Sequence, residues 1–189
     1  MGTPSASKPM RADARRNYER ILAVAREVFA EQGPDAPMDD IARRAGVGAG
    51  TLYRHFPCRE TLIEAVYRED IERLCSLARE LRETHEPFEA LSQWMRAQVE
   101  FALMKRGLAS TLKAAMDKDS ETFALCRNIL NEAAASVVKP AQEAGLIRAD
   151  VEARDVLRMG HGLAVASDGV PEATDRMLSV LLDGLRVTA

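Results

Sequence analysis

Between Gly46 and Arg59 the chain reads GVGAGTLYRHFPCR, and four of its side chains carry hydrogen-bonding chemistry at close spacing: Thr51, Tyr53, Arg54 and His55. Leu52 and Phe56, four residues apart, set the apolar side of a helix here, which directs those four outward on one side. A threonine so placed meets a base edge or a thymine methyl, an arginine forks onto guanine, and tyrosine and histidine donate to phosphates. Gly48 and Gly50 leave the amides at the start of such a helix open to a phosphate oxygen. This is the chemistry of gripping a polyanion and reading it.

Bond-breaking chemistry fares badly. No Ser-His-Asp set, paired carboxylate, phosphate loop or His-Cys cluster has a useful spacing, and His55 with Cys58 spans a helix junction. Neither an enzyme nor a metal or cofactor is expected. The three cysteines, Cys58, Cys75 and Cys126, are odd in number and far apart, which argues against a disulfide framework and for a reducing, cytoplasmic compartment. Cys58 and Cys126 read as inert thiols. No segment has the apolar core of a signal peptide or the ~20 apolar residues that span a bilayer, so no membrane partner is expected.

A formal net charge of -3 does not describe a protein coated in nucleic acid, but the charge is uneven. Residues 1–59 hold ten Lys and Arg against seven Asp and Glu; the remainder holds 16 against 22. The basic end is the end with the quoted motif, as expected of an N-terminal segment that meets polyanions.

The elements that must position the motif are helices. Residues 1 to about 12, rich in Ser and Pro with Lys8 and Arg11, read as a disordered basic arm. Ile21, Leu22, Ala25, Val28 and Phe29 then form one buried stripe, ended by Gly33-Pro34. A short helix follows from about Pro37, with Asp39 and Asp40 in its first turn and Ile41, Ala42 and Ala45 inward. Ala42, Gly46 and Leu52 have the spacing of a helix-turn-helix: a small residue at the crossing, a glycine in the turn, an apolar anchor beyond it. From Cys58 to about Glu83 the apolar pattern runs without a breaker, predicting a helix about 39 Å long that links this unit to the next.

Further breaks at Arg106-Gly107, Asp117 to Ser120, Gly145, Arg148 to Asp150 and Asp168 to Pro171 give nine helices in all, with no strand. The fold class is all-α, with Pro140 kinking the helix it lies in. Met177, Leu178, Leu181, Leu182 and Leu185 make an apolar stripe near the C-terminus, and Val156, Leu157, Leu163 and Val165 another before it. Such stripes serve an intramolecular core or an interface. Trp94, Gln98, Phe101, Met116, Phe123, Cys126 and His161, with Phe88, Met95, Met104 and Met159, are the groups suited to line a cavity between helices.

The segment MDDIARRAGVGAGTLYRHFPCRETLIEAV resembles the signature of the TetR/AcrR family of transcriptional regulators, in detail from about Arg16 to Val66. The resemblance implies a helix-turn-helix DNA-binding domain at 13–59 and an effector-binding and dimerisation domain at 60–189. It puts Thr51, Tyr53, Arg54 and His55 on the recognition helix and Arg59 on a phosphate. It implies a homodimer joined through its last two helices, here Leu163, Met177, Leu178, Leu181 and Leu185, on a palindromic operator in double-stranded DNA with recognition helices about 34 Å apart. A small-molecule effector would release a repressor of this kind. Two departures shift the contacts: Pro37-Met38 stand where the family often has Thr or Ser, and Ala49 where a basic residue is common. Affinity then rests on Arg54, Arg59, Arg43 or Arg44 and the basic arm. The competing reading is a helical ligand-binding or interaction module with a vestigial helix-turn-helix.

Overall fold

The computed structural model describes residues 7–115 and 121–187, with side chains placed for 12–104 and 125–187. Among the described residues there are eight helices: α1 Ser7–Gln32, α2 Met38–Arg44, α3 Ala49–His55, α4 Arg59–Thr84, α5 Pro87–Ala115, α6 Glu121–Glu143, α7 Ala153–Ala166 and α8 Pro171–Leu185. One compact unit holds the chain up to Tyr67 together with Gly107–Ala115, and a second holds Arg68–Arg106 and the described residues beyond Ala115. This division falls inside α4, whose first two turns bury Leu62, Ile63 and Val66.

The first unit is built on the anticipated stripe. Ile21, Leu22, Ala25, Val28 and Phe29 of α1 are buried, as are Ile41, Ala42 and Ala45 at α2 and Leu52 and Phe56 at α3. Each fully buried aliphatic side chain contributes about 1.5–3 kcal/mol, so these few residues hold two short helices that would not persist alone.

The second unit buries Ala78 and Leu81 of α4, Leu91, Trp94, Met95 and Val99 of α5, Ala134, Val137 and Val138 of α6, Val156 and Leu163 of α7, and Leu178, Leu182 and Leu185 of α8 around one core. Trp94 is fully buried, and its Nε1 donates to the Leu74 carbonyl at 3.0 Å. That bond satisfies the one polar atom the ring carries into the core. α6 ends at Gly145, φ +67°, where Gly145 N donates to Gln142 O at 2.9 Å and Leu146 N to Ala141 O at 3.0 Å, a Schellman cap. Past α8 the chain folds back: Arg148 N donates to Leu185 O at 2.9 Å and Val187 N to Leu146 O at 3.3 Å, forming an isolated antiparallel bridge between Ile147 and Arg186.

Two sequence expectations are corrected. The count of nine helices becomes eight because α5 runs through Arg106-Gly107; a glycine without a following proline costs a helix only ~1 kcal/mol and does not stop it. The arm expected over residues 1–12 is helical from Ser7 onward, Pro9 being tolerated in a first turn whose amides need no intrahelical partner. The all-α fold class holds among the described residues, whose one isolated bridge, Ile147 with Arg186, forms no strand. The expected break at Asp117 to Ser120 lies outside the described residues.

Candidate nucleic-acid interface and effector core

The turn before α3 explains why two helices only seven residues long can be held at a fixed angle. Ala45 closes α2 in the helical region and Gly46 follows at φ +63°, a conformation that a side chain with a Cβ resists. Gly46 N donates to Arg43 O at 3.1 Å and Val47 N to Ala42 O at 3.0 Å, so the turn is itself a Schellman cap. Gly48 starts α3 with no side-chain cap on its amides, and a Cβ built at Gly48 or Gly50 meets nothing within 4 Å. Both glycines therefore border open space and are not required by packing.

On α3, Leu52 is fully buried and Phe56 nearly so. Tyr53, 44% exposed, and Arg54 point to solvent, and among the described residues no carboxylate pairs with Arg54. Thr51 is half-buried beside them. His55 departs from the expected outward set. Its position three residues after Leu52 carries it toward the buried side, where it is half-buried with its ring edge-on to Tyr18 of α1, centroids 6.0 Å apart. Tyr18 in turn lies 5.2 Å from the Phe56 ring. Sequence reading missed Tyr18, whose only signal was an aromatic on the flank of the α1 stripe.

The candidate arginines divide as well. Arg43 and Arg44 are held by carboxylates: Arg43 pairs with Asp40, and Arg44 lies 2.7 Å from Glu31 and 3.1 Å from Asp40. Hydrogen bonding from Arg43 holds the Asp40 carboxyl below its ordinary range, and the bond to Glu31 raises Arg44. The Arg44–Glu31 pair ties α2 to α1 at the surface, while the two pairs to Asp40 lie within α2; surface pairs of this kind contribute little and are screened by salt. Arg59, expected on a phosphate, is half-buried: its Nη1 donates to the Pro34 carbonyl at 2.8 Å and also to that of Ala36. In this arrangement it clamps the start of α4 to the α1–α2 loop.

In the second unit Trp94, Gln98, Phe101 and Cys126 are buried. Gln98 is 4% exposed, and its Oε1 has no hydrogen-bond partner. It rests on Gly160 of α7, where a Cβ would lie 1.9 Å from it. His161 is exposed and does not join this group; on α7 the neighbouring Gly160 takes the inward position. Met116 and the side chain of Phe123 lie outside the described residues. The ring of Phe88 carries the Arg186 guanidinium 3.7 Å above its centroid.

Of the five candidate interface residues, Leu178 and Leu185 are buried in their own unit's core, and Leu163 is buried there while also lining an apolar depression between α7 and α8. Met177 and half-buried Leu181 sit on that depression with Met159, Gly162, Ala166 and Val180, the last 73% exposed. The exposed side of α8 carries Met177 and Val180 among Glu172, Asp175, Arg176 and Asp183, so apolar residues stand on both sides of the helix and periodicity alone does not separate core from surface. Among the described residues no three His, Cys, Asp or Glu side chains could hold a metal ion, and no helix is long and apolar enough to cross a membrane.

Comparison with known proteins meets this geometry. Residues 21–66 match the family model of the tetR family of bacterial regulatory proteins, and residues 86–187 that of the C-terminal domain of SbtR-like transcriptional regulators. The helix-turn-helix-type transcriptional regulator UidR of Escherichia coli K12 is 30% identical over 146 residues, covering 75% of this chain and 74% of that protein. A regulator of the same type from Staphylococcus aureus USA300 is 29% identical over 111 residues, and the match spans 60% of its length. The crystal structure of a TetR transcriptional regulator from Streptomyces coelicolor superposes with a TM-score of 0.81 at 40% identity, covering 91% of this chain and 99% of that one. One from Mycobacterium vanbaalenii gives 0.78 at 38%, covering 95% and 100%. Both family models and these structural neighbours agree, and the chain belongs to the TetR family of transcriptional regulators, which are DNA-binding proteins with a helix-turn-helix and a C-terminal ligand-binding domain and not enzymes.

Proposed function

We propose that the protein is a cytoplasmic, ligand-responsive repressor that binds a palindromic operator as a homodimer and leaves it when a small molecule occupies the second unit. The observation that carries the DNA reading is Arg54: exposed on α3, beside Tyr53, without a carboxylate to hold it. An unpaired guanidinium on a helix whose angle is set by a glycine cap is suited to forking onto a guanine. Thr51 joins it at the base edges, while Gly48 and Gly50 leave the first amides of α3 open. Arg43 and Arg44 supply positive potential from α2 while keeping their carboxylate partners. The exposed apolar strip of α7 and α8, centred on Val180, Met177 and Gly162, is the face by which two copies would pair.

Selection of bound sequences from a random duplex pool, followed by salt titration of the winner, tests this. A two-fold palindrome with a steep salt dependence is expected. Arg54→Ala should cost ~1–3 kcal/mol and relax specificity at one base pair in each half-site. No enrichment would return the molecule to an interaction module with a vestigial helix-turn-helix. Effector release is tested by screening a broad compound library for loss of operator binding; a hit must bind the DNA complex more weakly by the factor by which it weakens DNA binding.

A further inference from the structure

Among the buried residues of the second unit one side chain is out of keeping. Gln98 projects from α5 on the same face as Trp94 and Phe101, spaced four and three residues away, and all three are at least nine-tenths buried. Its Oε1 accepts nothing. Leaving such an acceptor unpaired costs on the order of 1–3 kcal/mol, which an apolar residue of similar shape would avoid. What permits the arrangement is Gly160 of α7: a Cβ there would fall 1.9 Å from Oε1 and 3.0 Å from Cδ, so only glycine lets the carboxamide lie flat against that helix.

We propose, on the reading that the second unit binds an effector, that Gln98 is the residue that selects it. Its Oε1 accepts a hydrogen bond from a hydroxyl or N–H of the ligand, and the carboxamide lies parked on Gly160 until that donor arrives. The chemistry of the surroundings sets the rest of the ligand. The buried residues of this unit are apolar apart from Asp70, Gln98 and Ser167, with no buried Lys, Arg or His among the described residues. Among the described residues an anion would find no buried counter-charge. The effector class is therefore an uncharged, largely apolar molecule with a hydrogen-bond donor. Engaging the donor lifts the carboxamide off α7, so occupancy alters how α5 and α7 pack, which gives the ligand a differential interaction with two states.

The test uses matched probes that differ only in the donor: indole against N-methylindole, para-cresol against para-methylanisole, and cyclohexanol against methoxycyclohexane. Dissociation constants are measured by calorimetry on the full chain, on Gln98→Met and on Gly160→Ala. The wild type should prefer the donor member of at least one pair by roughly three- to tenfold, the range of one neutral hydrogen bond. Gln98→Met should abolish the preference while still binding both members. Gly160→Ala, which denies the carboxamide its parking place, should increase the preference; a decrease would overturn the parked state. Equal binding of every pair by the wild type, or a preference kept in Gln98→Met, would overturn the role of Gln98 and leave the effector reading intact. No binding of any probe would overturn the ligand class, whereas the effector reading falls only if the library screen for operator release is also empty.

Discussion

Replacing Arg59 by methionine separates two roles for one guanidinium. The family resemblance puts this residue on a DNA phosphate, whereas its Nη1 donates to the carbonyls of Pro34 and Ala36. Methionine keeps most of the apolar stem and removes the charge and both bonds. A hydrogen bond to a charged donor contributes about 1.5–3 kcal/mol when its partner is withdrawn from water. Ala36 is 2% exposed, but Pro34 and Arg59 are only half-buried, so the lower end applies and the two bonds together are worth about 2–3 kcal/mol. With a urea dependence of about 2 kcal/mol per molar, the denaturation midpoint should fall by about 1 M. The midpoint is read by circular dichroism alongside the salt slope of operator binding. The expected result is a lower midpoint with an unchanged slope. An unchanged midpoint with a slope smaller by about one charge would refute the clamp and restore the phosphate contact.

Other outcomes follow from the same geometry. Gly46→Ala must place a Cβ at φ +63°, so it should lose about 1–2 kcal/mol in denaturant unfolding and weaken operator binding beyond that loss by tilting α3. Asp40 is held below its ordinary value of 3.8, chiefly by the hydrogen bond from Arg43. A depressed carboxylate contributes stability that is present above its unfolded pKa and lost as pH falls through the folded one. Thermal midpoints of wild type and Asp40→Asn should therefore converge below the ordinary value and separate above it, less so in high salt. Val180→Asp puts a charge on a side chain 73% exposed, so the monomer should fold with its helicity unchanged while sedimentation shows a halved mass. A dimer that survives it would place the interface elsewhere.

What could be read from the sequence was what is local. The Gly46 cap and the pairing of Leu52 with Phe56 depend on residues within a few positions of one another, and spacing alone conveyed them. The partners of His55 and Arg59, namely Tyr18 and the Pro34 and Ala36 carbonyls, were not legible because they are remote in sequence and come near only once the unit folds. Gln98 was noticed four residues from Trp94, but no sequence rule says that its oxygen would lack a donor. On α8 the amphipathic pattern fails because Leu178 and Leu182 face the core while Met177 and Val180 face solvent, and both sets are apolar. The Arg106-Gly107 break failed because a lone glycine is a weak punctuator.

The short antiparallel bridge that returns the chain from α8 to the α6–α7 connection has a consequence for synthesis on the ribosome. Leu146 cannot receive its partner until Val187 has left the exit tunnel, so the connection between α6 and α7 stays unlatched until all eight described helices have been made. A premature stop that removes only the residues after Leu185 would leave every helix present and yet release both the bridge and the Arg186 cover over Phe88.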